Sequence, residues 1–76
     1  MSILPIITPA DMLRVLLRAG FVIVRTRGSH VLLRHPVTKR VTTVLMHSGD
    51  LFRRTIANTL KQAGLSVKDF LRHLKN

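Results

Sequence analysis

Apolar positions along this chain change their spacing several times, and each change marks a boundary. After an apolar lead-in over residues 1–7, Met12, Leu13, Leu16 and Leu17 recur at helical spacing, leaving Asp11, Arg14 and Arg18 on another face. Thr8 is a good N-cap, Pro9 suits the first helical position, and Asp11 stands three residues after the cap. Gly20 is a natural stop. The period then becomes that of strands, over residues 21–27 and 30–35, with Gly28-Ser29 between them. Glycine followed by serine between two β-branched runs predicts a two-residue type II′ hairpin turn. Pro36-Val37-Thr38-Lys39 predicts a second turn and residues 40–46 a third strand. A polar loop, residues 47–50, leads to a helix over 55–63 that Thr55 caps, with Ile56, Ala57, Leu60 and Ala63 inward and Gly64 as its stop. Ser66 and Asp69 form a capping-box pattern for a last helix, with Val67, Phe70, Leu71 and Leu74 on one face. The predicted order is α-β-β-β-α-α, an α+β fold with a three-stranded antiparallel sheet and helices on one face.

A two-residue turn fixes pairing by subtraction. Arg27 faces His30, Arg25 faces Leu32 and Ile23 faces Arg34, all on one side of the sheet, because facing residues share a side and the side-chain period is two. Thr26, Val24 and Val22 then oppose Val31, Leu33 and His35 on the apolar side that helices should cover. This register puts His30 beside Arg27 on the open face. The third strand is less constrained, since a bulge in the second turn would shift it.

The 76 residues are expected to form one domain over 1–76, with most of the 46% hydrophobic content committed to its core. Charge changes the picture more. Thirteen Lys and Arg against three Asp and no Glu give a formal +10, which repels copies of the chain and attracts polyanions, nucleic acid first among them. With no cysteine, disulfide scaffolds and thiolate metal sites are excluded. No apolar run reaches membrane-spanning length, and the opening residues lack a basic n-region, so a cytoplasmic protein without membrane association is expected.

Against that charge, Gly28-Ser29-His30 is the candidate chemical centre. RNA can be cut when a base takes the 2′-hydroxyl proton, the 2′-oxygen attacks phosphorus, and an acid protonates the departing 5′-oxygen. A histidine serves either role near neutral pH and arginines stabilise the charge gathered on phosphorus. The same pattern equally fits a solvated surface histidine, a serine chosen for its turn position, and an ordinary charged edge. His47, Ser48 and Asp50 hold the residue types of a hydrolase triad, but within four positions they cannot take its geometry. His30, His35, His47 and Asp50 could collect a metal only if His30 and His35 shared a face, which the register denies. Arg53, Arg54 and Lys61, on the second helix or at its start, suit phosphate gripping.

An ordered set of fragments carries a resemblance. Ala19-Gly20-Phe21, Arg25-x-x-Gly28-Ser29-His30, Arg34-His35-Pro36, Met46-His47-Ser48-Gly49-Asp50-Leu51 and Lys61-Gln62-Ala63-Gly64-Leu65-Ser66 together resemble the HicA (YcfA-like) toxin family, from about Asp11 to Leu71. The resemblance implies a double-stranded-RNA-binding-domain-like fold and a metal-independent mRNA interferase activity with no cofactor. It implies that His30 is the catalytic residue. Arg25, Arg27, Gly28, Ser29, Arg34, His47, Arg53, Arg54 and Lys61 are then the expected substrate-binding positions. It also implies an acidic HicB-like antitoxin that covers the active site, with operator DNA bound only through the joint complex. The chain departs from the pattern in three places: Leu45 where proline is expected, Phe52 where a charged residue is common, and Arg54 where glycine is usual. None of the three is expected to touch Gly28-Ser29-His30. Two other readings stand beside the nuclease: a non-catalytic basic module that binds RNA or DNA, and a subunit that binds only an acidic partner.

Overall fold

The computed structural model describes residues 4–75, so the first three residues of the lead-in lie outside the described residues. The element order is α1 (Pro9–Arg18), β1 (Val22–Arg27), β2 (His30–Arg34), β3 (Val41–Leu45), α2 (Arg53–Ala63) and α3 (Val67–Lys75). The strands form one antiparallel sheet in the order β1-β2-β3, a meander as the turn chemistry predicts.

Local signals set most boundaries. At the start of α1 the Thr8 side chain accepts from the Asp11 N–H at 3.2 Å, and the Asp11 carboxylate accepts from the Thr8 N–H at 3.1 Å. This reciprocal box satisfies two orphan donors of the first turn. Ser66 Oγ accepts from the Asp69 N–H at 3.0 Å and opens α3. The second helix starts earlier than Thr55 predicts: it begins at Arg53, after Phe52 in extended conformation, with no side-chain cap. Tertiary contacts fix the approach to the helix instead. The Leu51 N–H donates to the Ile7 carbonyl at 2.8 Å and Arg53 Nε to the Leu4 carbonyl at 3.1 Å, tying the lead-in to the approach of α2.

The core lies between the helices and the inner face of β2 and β3. Phe70, Met12, Leu16, Leu33, Ile56 and Val15 are fully buried in it. Arg18 reaches across to the His73 carbonyl at 2.9 Å and couples α1 to the end of α3. Thr42 is buried on the inner face of β3 because its hydroxyl finds the Gln62 side-chain carbonyl at 2.8 Å. A buried hydroxyl without such a partner would be costly.

Four expectations of burial are corrected. On α1, Val15 takes the inward place and Leu17 is exposed; on α2, Thr59 is buried and Ala57 exposed; on α3, only Phe70 is fully enclosed, and Leu71 faces out. Thr59 tolerates burial by returning its hydroxyl to the Thr55 carbonyl at 2.9 Å. The largest correction concerns β1. Its pairing holds from the turn outward as far as Arg25–Leu32, then a bulge at Val24 shifts the register, so Ile23 faces Leu33 and Val22 faces Arg34. Val22 and Val24, expected beneath the helices, are 51% and 56% exposed. The bulge turns Val22 to the outer face with Arg34. A lateral cause acts on the whole strand: α1 packs on α3 and β3, α2 packs on β3, and β1 lies on the edge away from these contacts.

Candidate nucleic-acid interface

The hairpin tip is built as its sequence demands. Gly28 has φ +58° while Ser29 does not take positive φ, the pattern of a II′ turn. A Cβ on residue 28 would meet nothing within 4 Å, so glycine is needed there for its backbone and not for space. The Ser29 carbonyl accepts from the Met46 N–H at 2.7 Å, which clamps the turn to the end of β3. On the outer face, Arg27 stands opposite His30 and Arg25 opposite Leu32, with Thr43 completing the row from β3. Arg25, Arg27, His30, Leu32 and Thr43 line a shallow hollow of about 230 Å³.

Electrostatically this hollow is uncompensated. The ion pairs among the described residues, Asp11–Arg14 at 3.4 Å and Asp69–Arg72 at 3.2 Å, belong to α1 and α3. The Asp11 carboxyl is held below its ordinary value chiefly by the Thr8 backbone N–H, with Arg14 adding to the effect. That of Asp69 is held down chiefly by the Ser66 side chain. Neither acid lines the hollow. Its two guanidinium groups face solvent and are available to an anion.

The remaining candidates are dispersed. Arg34 is on the same outer face but at the other end of β2, between Val22 and Val41. Arg53 is spent on the Leu4 carbonyl, and Arg54 is exposed beside it in the first turn of α2. Lys61 neighbours Gln62, whose side chain bonds Thr42, so it stands toward the end of β3 remote from the hairpin tip. His47 lines a separate groove, where its Nδ1 lies 2.8 Å from the Ser48 carbonyl. The four histidines and Asp50 do not converge: among the described residues, no three His, Asp or Glu side chains gather as metal ligands would.

His35 has another task. Its Nδ1 accepts from the Val37 and Thr38 N–H groups at 3.1 and 3.3 Å, which leaves the hydrogen on Nε2 to donate to the Ala19 carbonyl at 3.2 Å. Its ring meets Phe21 edge-on, centroids 5.2 Å apart. It closes the 36–39 turn and anchors that turn to the end of α1.

Thr43 was missed by sequence reasoning. Residues 41–46 read Val-Thr-Thr-Val-Leu-Met, with no clean alternation to say which threonine faces out. Only the Thr42–Gln62 bond decides it. The expectation that Leu45 stands clear of the tripeptide is also corrected: Leu45 is the β3 partner of His30.

A three-stranded antiparallel sheet with one face packed under helices and the other open and carrying arginines defines a small α+β domain. Comparison with protein families narrows this to one. The model described as "HicA toxin of bacterial toxin-antitoxin" matches residues 9–65, three quarters of the chain, and the chain belongs to the HicA toxin family. Its role is therefore that of a toxin, and the family implies an antitoxin partner. A search of curated proteins finds no match.

Proposed function

We propose that this toxin is a metal-independent endoribonuclease that cleaves mRNA, with His30 as general acid or base. The observation that carries the reading is the register of the hairpin, which sets His30 beside Arg27 and within one hollow with Arg25. In that arrangement the arginines hold the scissile phosphate and stabilise the charge that accumulates on it. His30 either takes the 2′-hydroxyl proton or donates one to the leaving 5′-oxygen. The 2′-oxygen–phosphorus bond forms, the phosphorus–5′-oxygen bond breaks, and a 2′,3′-cyclic phosphate remains. Arg34, Arg54 and Lys61 lie farther off and serve the flanking strand, while Arg53 is held by the Leu4 carbonyl. An acidic HicB-like antitoxin covers this face in the resting cytoplasmic complex, and operator DNA is bound through that complex.

Gel analysis of RNA exposed to the wild type and to His30→Ala tests the reading. The wild type should yield 2′,3′-cyclic ends in EDTA, and the variant should not. The second reading, a binding module without chemistry, is favoured by the absence of any hydrogen bond orienting the His30 ring among the described residues. Salt-dependent affinity without product would establish it.

A further inference from the structure

A second hollow, about 340 Å³, runs along the free edge of β3 between that strand and the start of α2. Thr43 lines it as well as the cationic hollow, so the two adjoin at this residue. Met12, Val44 and Leu51 give it an apolar floor, and two rings line it, His47 and Phe52. Phe52 is 80% exposed and, although it sits at the N-cap position of α2, its side chain makes no capping bond, so neither core packing nor a capping side chain accounts for an aromatic residue there. The Ser48 carbonyl can only accept, which places a hydrogen on His47 Nδ1; in the neutral ring Nε2 is then the acceptor. The strand edge adds more polar groups. Met46 bonds Ser29 and the His35 N–H bonds the Arg40 carbonyl, so even-numbered residues of β3 face β2 with their main-chain groups. By the alternation of an antiparallel ladder, Thr43 and Leu45 direct their N–H and C=O outward.

We propose that this groove is a nucleobase subsite, in which an unstacked base next to the scissile phosphate stacks on Phe52. The outward N–H and C=O groups of Thr43 and Leu45, with His47 Nε2, meet the edge of that base. The inference rests on the nuclease reading and deepens it by adding a base contact to a phosphate contact. An aromatic platform beside a cationic track is how proteins hold single-stranded nucleic acid. The wall shared through Thr43 and the +10 charge favour RNA as the occupant. A protein strand added to β3 would use the same main-chain groups, but it would not need a groove continuous with the phosphate site.

The test is fluorescence anisotropy with a fully 2′-O-methylated single-stranded octaribonucleotide, which cannot be cleaved, and an abasic backbone of the same length. Wild type should bind the base-bearing strand about 5- to 150-fold more tightly, the range of aromatic–base stacking. Phe52→Ala should lose most of that preference, Phe52→Trp should keep it, and neither should alter affinity for the abasic strand. Thermal melts should coincide, because Phe52 is outside the core. Equal affinities of wild type and Phe52→Ala for the base-bearing strand would overturn the subsite and leave the groove to a protein partner. So would equal binding of the two strands by the wild type. A Phe52-dependent preference in a protein that cuts no RNA would uphold the subsite while the nuclease reading fell. Cleavage without the preference would do the reverse.

Discussion

His35, just past the end of β2, has both ring nitrogens committed to main-chain groups, whereas His30, at its start, makes no side-chain hydrogen bond to any described residue. The environments differ as much as the bonds. Around His35 the chain is tight: a Cβ on Gly20, where φ is +102°, would lie 2.7 Å from Nε2. Around His30 the surface is open, flanked by guanidinium groups, and even the turn glycine has empty space beside it. One histidine holds the molecule together and the other is free to act on something outside it. Composition treats them alike. Only register and neighbours separate them.

The largest contrast should come from replacing each histidine. His30→Ala should cut RNA cleavage by about 10²–10⁴-fold, the usual contribution of a positioned acid or base, with the melting temperature unchanged. His35→Ala should instead destabilise by about 1–3 kcal/mol through its lost hydrogen bonds and packing. At roughly 4–8 °C per kcal/mol for a domain of this size, calorimetry resolves that shift easily. A stability loss in His30→Ala comparable to that in His35→Ala would erase the distinction.

The glycines sharpen the same comparison on a smaller scale. Gly20→Ala combines positive φ with a contact to His35 and should lower stability by about 2–4 kcal/mol. Gly28→Ala meets only the backbone cost of a left-handed residue, about 1–2 kcal/mol. Similar denaturation midpoints for the two would show that the crowding at His35 is relieved by movement.

Among the arginines, Arg27→Ala should weaken binding of single-stranded RNA and reduce its log–log salt slope by about 0.7, one phosphate contact. Arg34→Ala, at the far end of β2, should lower cleavage less. The reverse order would move the reaction centre along the sheet.

The smallest effect is acidic. Asp11 and Asp69 have folded-state pKa values below their ordinary 3.8, so the stability they contribute is present above that value and lost as pH falls through the folded one. Melting temperature should decline below about pH 4, and Asp11→Asn with Asp69→Asn should flatten the decline. An unchanged acid limb in the double variant would assign the decline to other groups.

Much of this arrangement is legible in the residues. The Thr8–Asp11 box, the Gly28-Ser29 turn and the pairing of Arg27 with His30 follow from local chemistry that nothing elsewhere in the chain overrides. What failed depended on lateral placement. Val22, Ile23 and Val24 look like a buried strand, but their burial is decided by which strand the helices reach and by a bulge that no composition signals. Phe52 in place of Thr55 at the cap of α2 reflects bonds from Leu51 and Arg53 to a lead-in more than 40 residues earlier. The ordered motifs named the family, while the groove beside the site needed the depth of β3 against α2.

The bulge at Val24 bears on colloidal behaviour. An exposed edge strand with three aliphatic residues would ordinarily template pairing with another chain and lead toward aggregates. Here the extra residue breaks the regular ladder that a second strand would need, and each approaching copy also carries +10. Self-repulsion and an irregular edge both oppose edge-to-edge pairing of copies through the uncovered valines.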